Sequence, residues 1–445
     1  MDIEVSPQAE FIINTIKKYG FKAYAVGGCV RDSIMHKKPC DWDICTDAEP
    51  LDTENIFKAT GLKTLETGLK HGTITVLYGG TAFEVTTFRS DGEYSDNRHP
   101  NKVNFVKELE EDLARRDFTV NAMAYNPKDG IIDCFGGIND IEDHILRAVG
   151  DPYKRFKEDA LRILRCLRFS SVLGFKIEEN TSNAVLKLSP LLKNISKERI
   201  NVEFGKIILG DNAESILLDY ASVIAEFIPE IKPMFGFNQH NIHHIYDVWR
   251  HSVKTVVSCP KDLTLRLTML LHDVAKPDCF TIEDDNMGHF YGHAKLSAEK
   301  ARDILINLKY DNSTVKSVYD LIYYHDIQLN ATEKSVKKLL NKLGEEQFYR
   351  LLEVKKADTL GINPIYHKER LKFFEEIKDI AEKILSENQC FSIRDLAING
   401  KDIMELGVPK GPRVGKILNE LLEMVMEEQI PNDRKIILEY IKETR

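Results

Sequence analysis

The pattern of apolar residues changes near residue 150, and this change limits the fold more than any other feature. Before that point, short β-rich runs alternate with helical segments. After it, the spacing is helical almost throughout, with few strand candidates. Strand-rich and helical regions that are separated along the chain are typical of an α+β protein. We therefore predict a mixed α/β head followed by a long, all-helical region.

Local signals define several elements of the head. Apolar residues at helical spacing predict a helix over residues 1–20 that ends at Gly20. Residues 24–26 and 41–45 have the composition of short strands. Gly79-Gly80 separates two further β-rich runs, which predicts a hairpin.

Charge and cysteine usage exclude some classes of protein. The eight cysteines contain no Cys-x-x-Cys pair, which suits a reducing compartment and argues against a disulfide scaffold. The apolar runs fall short of the ~20 residues that span a bilayer, and the acidic N-terminus lacks the pattern of a secretory signal. We expect a cytoplasmic protein with no membrane partner, and the sequence leaves its oligomeric state open.

Two aspartates, Asp41 and Asp43, lie two positions apart on a predicted strand, so their side chains point to the same face. Two carboxylates on one face can hold Mg²⁺, which binds triphosphate oxygens and activates an attacking hydroxyl. Glu84, on the second hairpin strand, could supply a third carboxylate. Asp-x-Asp alone is also common in turns and on surfaces, so it needs support from its neighbours.

That support is a turn, Gly27-Gly28, which follows a predicted strand and precedes a helix. Two glycines let the backbone approach a phosphate, and a helix N-terminus offers free N–H groups. Arg31 adds a guanidinium that can form charge-assisted hydrogen bonds with phosphate oxygens. A Gly-Gly turn is usually only a turn, but followed by Val30-Arg31-Asp32 and then by Asp-x-Asp it indicates a phosphate site.

Several segments together resemble the successive motifs of the class II CCA-adding enzymes, which belong to the polymerase β superfamily of nucleotidyltransferases. The resemblance covers about the first 210 residues. It implies an enzyme that adds C, C and A to the 3′ end of tRNA without a template, using CTP, ATP and Mg²⁺, by two-metal nucleotidyl transfer with release of diphosphate. The matching segments are 26–32, 41–46, 84–89, 115–124, 158–162 and 197–200 with Glu203.

The resemblance also implies roles for charged residues that recur every third position within 156–169, on one predicted helix. Asp159 and Arg162 match the pair that reads the incoming base. A carboxylate only accepts hydrogen bonds and a guanidinium only donates them, which suits the amino group and ring nitrogen of cytosine or adenine. Uracil and guanine would leave buried groups unpaired, at a cost of ~1–3 kcal/mol each. The residues implied to bind the rest of the nucleotide are Gly28, Arg31, Arg116, Arg165 and Arg168.

Charge alone does not show whether the helical segment that follows the head binds a nucleotide. Residues 151–210 carry 12 Lys and Arg against 7 Asp and Glu, in a chain of net charge −9. A basic segment can attract phosphates, or it can be a solvated helical surface.

A further feature of the resemblance is the segment 89–100, which is similar to the flexible loop that full CCA-adding enzymes use to switch from C to A. Its presence favours complete CCA addition over addition of CC only.

Downstream, a spaced series of histidines and aspartates resembles an HD-type phosphohydrolase domain. The series is His251, His272-Asp273, His293 and His325-Asp326. The resemblance implies a second site for one or two divalent metals, Mn²⁺, Ni²⁺, Fe²⁺ or Mg²⁺, bound by His251, His272 and Asp273. The last ligand is His325 or Asp326, and we favour Asp326. An active site of this kind would hydrolyse a phosphate ester at an RNA 3′ end, such as a 2′,3′-cyclic phosphate. Alternatively, the histidines only cap and pack helices.

The resemblance suggests a division of the chain into four parts. They are a nucleotidyltransferase head (1–140), a helical neck that recognises the base (141–210), an HD-type helical domain (211–350) and a helical tRNA-binding tail (351–445). Two other functions compete with CCA addition. A poly(A) polymerase shares the head motifs, but the loop and the HD-type series argue against it. An HD phosphohydrolase with an RNA-binding head is disfavoured by the intact Asp41/Asp43 pair.

Overall fold

The computed structural model describes residues 3–92, 103–283 and 287–444. Most of the segment 89–100, which resembles the flexible loop that full CCA-adding enzymes use to switch from C to A, lies outside these residues. The chain forms two compact units, Met1–Pro229 and Glu230–Arg445. A mixed α/β sheet region is followed by a largely helical region, which confirms the predicted fold class. The finer division into four domains stays a prediction.

The first unit is built on a seven-stranded mixed sheet. Its strands are β1 (Ala23–Val26), β2 (Ile44–Thr46), β3 (Lys63–Gly68), β4 (Thr73–Tyr78), β5 (Thr81–Thr87), β8 (Met123–Asn126) and β9 (Gly130–Asp133), and β6 (Arg89–Asp91) pairs separately with β7 (Val103–Phe105). The order across the sheet is β3-β4-β5-β2-β1-β8-β9. All neighbours are antiparallel except β2 and β5. The parallel pairing places β2 and β5, which are separated in the sequence, side by side in the sheet.

Helices pack around this sheet and continue beyond it. Those of the first unit are α1 (Pro7–Lys18), α2 (Gly28–Ile34), α3 (Pro50–Ala59), α4 (Leu109–Ala114), α5 (Gly137–Glu142), α6 (Pro152–Glu158), α7 (Leu161–Leu173), α8 (Glu179–Leu188), α9 (Lys197–Leu209), α10 (Ala213–Asp219) and α11 (Ala221–Ile224). A short parallel pair, β10 (Ile145–Leu146) and β11 (Lys176–Ile177), lies among them. Helix α7 packs on α9, so the segment that carries the predicted base-reading residues has a fixed support.

Two of the local predictions are confirmed. Gly79 and Gly80 connect β4 to β5 with φ values of 58° and 79°. A two-residue hairpin turn with positive φ at both positions strongly favours glycine. The first helix ends at Lys18, and Gly20 follows it with φ of 92°.

Two predictions differ from the structure in their boundaries. Strand β2 begins at Ile44 rather than at Asp41, although the Val26 N–H still donates to the Asp43 carbonyl at 2.9 Å. The single helix predicted over 156–169 is broken at Asp159, whose backbone is extended. The Asp159 carboxylate accepts from the Leu161 N–H at 3.0 Å. An aspartate satisfies a free N–H at a helix start well, which accounts for the break.

Among its described residues, the second unit is helical apart from one short antiparallel pair of strands, β12 (Thr281–Ile282) and β13 (Gly288–His289). Its helices are α12 (Val248–Ser258), α13 (Leu263–Leu271), α14 (His293–Asn307), α15 (Asn312–Tyr324), α16 (Glu333–Leu343), α17 (Glu345–Leu360), α18 (His367–Ser386), α19 (Gly400–Glu405), α20 (Pro412–Met426) and α21 (Arg434–Thr444). Helix α12 packs on α13 and α17, and α13 and α14 pack on α15. Towards the C-terminus, a separate apolar core is formed by residues between 390 and 441.

All eight cysteines are free thiols, as the absence of a Cys-x-x-Cys pair suggested. Among the described helices, none has the length and apolarity that crossing a bilayer requires.

Candidate active site and a buried histidine cluster

Three carboxylates meet beside the parallel pair of strands. Ile44 on β2 is paired with Val85 on β5, so Asp43 lies next to Glu84 in the register. Ile44 and Val85 are buried in the core. Because side chains alternate along a strand, Asp43 and Glu84 point to the opposite, open face. The predicted carboxylates are therefore brought together, although Asp43 precedes the strand.

The proximity of these groups changes the acidity of Asp43. Its partial withdrawal from water, together with the negative charges of Asp41 and Glu84, raises the pKa of Asp43 to about 6. The guanidinium of Arg116 acts in the opposite direction. Clustered carboxylates with hard oxygen donors suit Mg²⁺, which relieves the repulsion among them.

The glycine turn lies against Arg116. Gly27 has φ of 85°, and a Cβ placed on it would lie 3.1 Å from Arg116 Nη1. A side chain at this position would therefore be strained and would press on the guanidinium. Arg116 Nη2 also donates to Asp112 Oδ2 at 3.1 Å. Asp112 thus holds Arg116 beside the turn, where its charge acts on Asp43.

Three of the predicted nucleotide-binding arginines surround one aromatic ring. The guanidinium carbons of Arg31, Arg165 and Arg168 lie 5.3, 5.3 and 4.1 Å from the centre of the Phe169 ring. Arg31 comes from α2 and the other two come from α7. Two distant parts of the sequence thus contribute guanidinium groups to one cluster.

Each of these arginines has an acidic or amide partner that the sequence did not identify as part of the site. Arg165 Nε donates to Asp117 Oδ2 at 2.8 Å, and Arg168 Nε lies 3.1 Å from Glu203 Oε2. Burial disfavours the charged form of Asp117, but Arg165 outweighs it and lowers the pKa to about 2.

Asn121 connects Asp117 to the helix that follows the glycine turn. Asn121 Nδ2 donates to Asp117 Oδ1 at 3.2 Å, and Arg31 Nη1 donates to Asn121 Oδ1 at 2.5 Å. A continuous polar chain therefore runs from Arg165 to Arg31. Asp117 and Asn121 lie in the segment 115–124, which is the signal that could have found them.

In the described part of the chain, the side chains of the predicted base-reading pair share no hydrogen bond or ion pair, although the Arg162 N–H donates to the Asp159 carbonyl at 3.0 Å. Arg162 Nη1 donates to Glu158 Oε2 at 3.0 Å, and its Nη2 donates to the Arg115 carbonyl at 2.9 Å. Asp159 Oδ2 lies 3.7 Å from Arg199 Nη2. Both side chains are close to α7, but each is engaged by another partner.

The second unit contains a cluster of four buried histidines and two aspartates, of which Asp273 is buried and Asp358 is partly exposed. We call this the histidine cluster; its members are His251, His272, Asp273, His293, His325 and Asp358. The ring atoms His251 Nε2 and His272 Nε2 are 3.2 Å apart, and His293 Nε2 and His325 Nε2 are 3.3 Å apart. Helices α12 to α15 and α17, or the residues directly after them, supply these groups.

The other ring nitrogen of each histidine lies against a backbone carbonyl. The Nδ1 atoms of His251, His272, His293 and His325 lie 3.0, 2.7, 2.7 and 2.6 Å from carbonyl oxygens. A carbonyl only accepts hydrogen bonds, so each Nδ1 must carry the hydrogen. In neutral rings, each Nε2 then presents a lone pair to the cluster. This is how metal-binding histidines are oriented.

Asp273 lies between the two pairs of rings. Its Oδ2 lies 3.2 Å from His272 Nε2 and 2.7 Å from Lys276 Nζ, and its Oδ1 lies 3.4 Å from His293 Nε2. Asp358 Oδ1 lies 3.0 Å from His251 Nε2.

The structure separates the two candidates for the last ligand. Asp326 is exposed and its side chain lies outside the cluster, whereas its neighbour His325 is buried and belongs to it. His325 follows α15 directly and its ring faces inward, so the next side chain points away. The late carboxylate that reaches the cluster is Asp358, a lone aspartate on α17 that no local motif marks.

The electrostatics of the histidine cluster favour positive charge. Burial opposes protonation of His272, but Asp273 and Asp358 outweigh it and raise its pKa to about 10. Burial and the neighbouring His272 lower the pKa of His325 to about 3, so that ring is neutral at pH 7. His272 therefore carries a proton at pH 7 that a metal ion would have to displace, and neutral imidazole with carboxylate is a donor set for divalent transition metals.

Three protein-family models match successive parts of the chain. The model described as the poly A polymerase head domain matches residues 23–147. A probable RNA- and SrmB-binding site of polymerase A matches residues 174–235. A model described as putative tRNA nucleotidyltransferase domain 2 matches residues 283–441.

Characterised relatives match almost the whole chain. The CCA-adding enzyme of Ligilactobacillus salivarius is 34% identical over 446 aligned positions, covering 97% of this chain and 95% of that protein. The CCA-adding enzyme of Pediococcus pentosaceus is 33% identical, covering 97% and 96%.

Solved structures agree with the fold. The CCA-adding enzyme of Bacillus stearothermophilus, crystallised with CTP, superposes with a TM-score of 0.73 at 29% identity, covering 99% of this chain and 98% of that one. The Thermotoga maritima CCA-adding enzyme, solved with tRNA, has a TM-score of 0.57 at 20% identity, with 98% and 95% covered, and supports the fold only.

Proposed function

The chain belongs to the CCA-adding enzymes, and from that premise we propose how its residues divide the work of adding C, C and A to the 3′ end of tRNA. The substrates are tRNA, CTP and ATP. The observation that carries the assignment of roles is the meeting of three carboxylates on one side of an arginine-rich surface.

Asp41, Asp43 and Glu84 hold the catalytic Mg²⁺. Their oxygen donors fit this ion, and the negative charges of Asp41 and Glu84 add to partial burial in raising the pKa of Asp43. When bound, the ion polarises the triphosphate and promotes ionisation of the attacking 3′ hydroxyl. The three carboxylates would place the bound ion, and so the reacting groups, beside the turn Gly27-Gly28.

The arginines bind the triphosphate. Arg116 lies nearest the carboxylates, and Arg31, Arg165 and Arg168 form the surface around Phe169. Guanidinium groups bind phosphate and carboxylate with the same geometry. Each arginine therefore exchanges its carboxylate or amide partner for a phosphate oxygen. Gly28, at the start of α2, leaves room for the triphosphate beside Arg31.

Asp159 and Arg162 choose the base. To do so, Arg162 leaves Glu158, and Asp159 leaves Leu161 and Arg199. The break between α6 and α7 allows this rearrangement, because Asp159 is not held by a continuous helix. The aspartate then accepts from the amino group of cytosine or adenine, and the arginine donates to the adjacent ring nitrogen.

The test is nucleotide addition to a tRNA transcript that lacks its 3′ CCA. Incubation with Mg²⁺ and each labelled nucleotide should incorporate C at two positions and then A at one. A poly(A) polymerase would instead extend with many A residues. Loss of C incorporation in a variant that still binds tRNA would assign the roles above, and normal incorporation after removal of Asp41 or Asp43 would overturn them.

A second function is favoured by the histidine cluster. We propose that it binds a divalent metal through His251, His272, Asp273 and Asp358 and hydrolyses a phosphate ester at an RNA 3′ end. The inward lone pairs of the histidines and the buried carboxylate of Asp273 support metal binding. If water attacked the phosphorus of a 2′,3′-cyclic phosphate and the P–O3′ bond broke, the phosphate would remain on the 2′ oxygen and the 3′ hydroxyl that nucleotide addition requires would be freed. Incubation of the protein with such an RNA end tests this.

A further inference from the structure

We propose that Phe169 is a positioning residue for the triphosphate, because its ring holds the guanidinium groups around it in place while their hydrogen-bond partners change. These groups belong to Arg31, Arg165 and Arg168. The inference rests on the proposed function, in which the three arginines bind the triphosphate, and it adds a residue to which no role was assigned. The observation that carries it is the contact of one aromatic ring with three arginines from two helices.

The Phe169 ring is supported by the core of the first unit. It packs against Phe118 with the two ring centres 5.7 Å apart and the ring planes at 77°. Edge-to-face packing of this kind is a favoured arrangement of two aromatic rings. Phe118 is completely buried, whereas Phe169, near the end of α7, is only partly buried. The ring therefore has a fixed apolar support and still reaches the charged groups.

The three guanidinium groups lie close enough to repel one another. Burial lowers the pKa of Arg168, Glu203 opposes this effect, and the positive charges of Arg165 and Arg31 add to the lowering. A triphosphate site needs these charges side by side before the nucleotide arrives. The face of an aromatic ring carries partial negative charge and attracts cations, so Phe169 offsets part of this repulsion.

The contact with the ring leaves the N–H groups of the arginines available. Arg165 donates from Nε and Nη2 to Asp117, and Arg31 donates from Nε and Nη2 to Asp32 at 2.9 and 2.7 Å. A guanidinium only donates hydrogen bonds, and phosphate accepts them as carboxylate does. The acidic partners must give way when a phosphate binds, but the Phe169 ring need not. The ring is thus a contact that all three arginines can keep throughout the exchange.

Fluorinated phenylalanines separate this role from simple packing. Fluorine atoms withdraw electrons from the face of the ring and change its shape little, so they weaken the attraction for cations and preserve the packing. The experiment places phenylalanine with one, two or three fluorine atoms at Phe169 of the full-length chain. It measures addition of C and A to tRNA that lacks part or all of its CCA end.

The KM for CTP and ATP should rise with each fluorine, to about fivefold with three. The kcat should change less than about twofold, because the arginines bind the triphosphate before and during the reaction. Phe169→Tyr, which keeps an electron-rich face, should retain the wild-type KM, and Phe169→Leu should raise it about tenfold. The same fluorinated series at Phe204, whose ring packs edge to face on Phe227, is the matched control and should leave KM unchanged.

Arg168→Gln distinguishes failure of this inference from failure of the proposed function. If Arg168→Gln raises KM but the fluorinated series at Phe169 does not, the role of Phe169 is overturned and the arginine remains a phosphate ligand. An unchanged KM in Arg168→Gln would overturn the proposed role of the arginine itself. In the Arg168→Gln background, fluorination should have a smaller effect, since the shortest of the three contacts, 4.1 Å, is removed. An undiminished effect there would show that the ring acts by another route, and would also overturn the inference.

Discussion

The two candidate metal sites are built in opposite ways. In the head, oxygen donors stand on the open face of a sheet, and Asp41 and Glu84 are exposed. In the second unit, imidazoles and carboxylates converge among helices, and His251 and Asp273 are 0% and 1% exposed. Water can compensate for an absent ion in the first case. In the second, the protein must supply the compensating charge itself.

The difference in exposure between the two sites affects how readily each one would exchange its metal ion. An exposed carboxylate site can lose and regain Mg²⁺ with each nucleotide, because the energetic cost of the empty state is small. A buried site with its ligands oriented by backbone carbonyls is costly to leave empty. We therefore expect an exchangeable ion in the head and a tightly held one in the histidine cluster.

Asp43→Ala should have the largest effect on catalysis and little on folding. A metal contributes several kcal/mol to such a transition state, so CMP incorporation should fall by roughly 10³-fold or more. The melting temperature and tRNA affinity should stay close to those of the wild type, and Asp41→Ala should behave in the same way. Asp52→Ala, an exposed change on α3, is the control. Near wild-type incorporation by either variant would show that the carboxylates are misassigned.

His272→Ala should instead lower the stability of the second unit and have little effect on nucleotide addition. Removing one partner from a buried charged group costs about 3–5 kcal/mol, so the second unit should melt at a lower temperature. Phosphoesterase activity and bound metal should be lost, while CCA addition to an unblocked tRNA end should remain. Paired assays below the melting temperature, with elemental analysis, check this. Unchanged metal content after His272→Ala and after Asp273→Ala would reduce the cluster to packing.

Asp159→Ala and Arg162→Ala should change selectivity more than rate. Each removes half of the hydrogen-bond pattern that rejects uracil and guanine, worth about 1–3 kcal/mol. Discrimination against UTP or GTP should fall by roughly 10- to 100-fold. Competition between labelled nucleotides measures the ratio. A slower variant with the wild-type preference among the four nucleotides would contradict this role.

The smallest expected effect is that of pH on the increase in melting temperature caused by Mg²⁺. The pKa of Asp43 is raised from its usual 3.8 to about 6, so the stability linked to its proton is lost as the pH rises through this range. Mg²⁺ relieves the repulsion above the folded pKa but must displace the proton below it. Adding Mg²⁺ should therefore raise the melting temperature by a few degrees more at about pH 7.5 than at about pH 5. Asp43→Asn should abolish the difference.

Much of the head could be predicted because its signals are local. Gly79-Gly80 determines a hairpin, and the motif around Asp41 and Asp43 lies within a few residues. The break at Asp159 was missed because a capping aspartate also fits the periodicity of a helix. The spacing of the arginines was visible, but their partners Asp117 and Glu203 are determined by tertiary packing.

The histidine cluster was predictable only in part for the same reason. His272-Asp273 is a motif, whereas Asp358 comes from a helix far along the chain and has no distinguishing neighbours. The choice between His325 and Asp326 depends on how far α15 extends. A shift of one residue at a helix end rotates a side chain by about 100°. Sequence periodicity does not determine helix ends so closely.

The pairing of Arg165 with Asp117 and of Arg168 with Glu203 has a consequence for turnover. With the arginines in the triphosphate-binding role proposed above, completing one CCA end requires diphosphate to leave them three times. Asp117 and Glu203 would then compete with diphosphate for those guanidinium groups at a constant effective concentration. Such competition would shorten the residence of the departing diphosphate and return the arginines to the same starting positions before the next nucleotide binds.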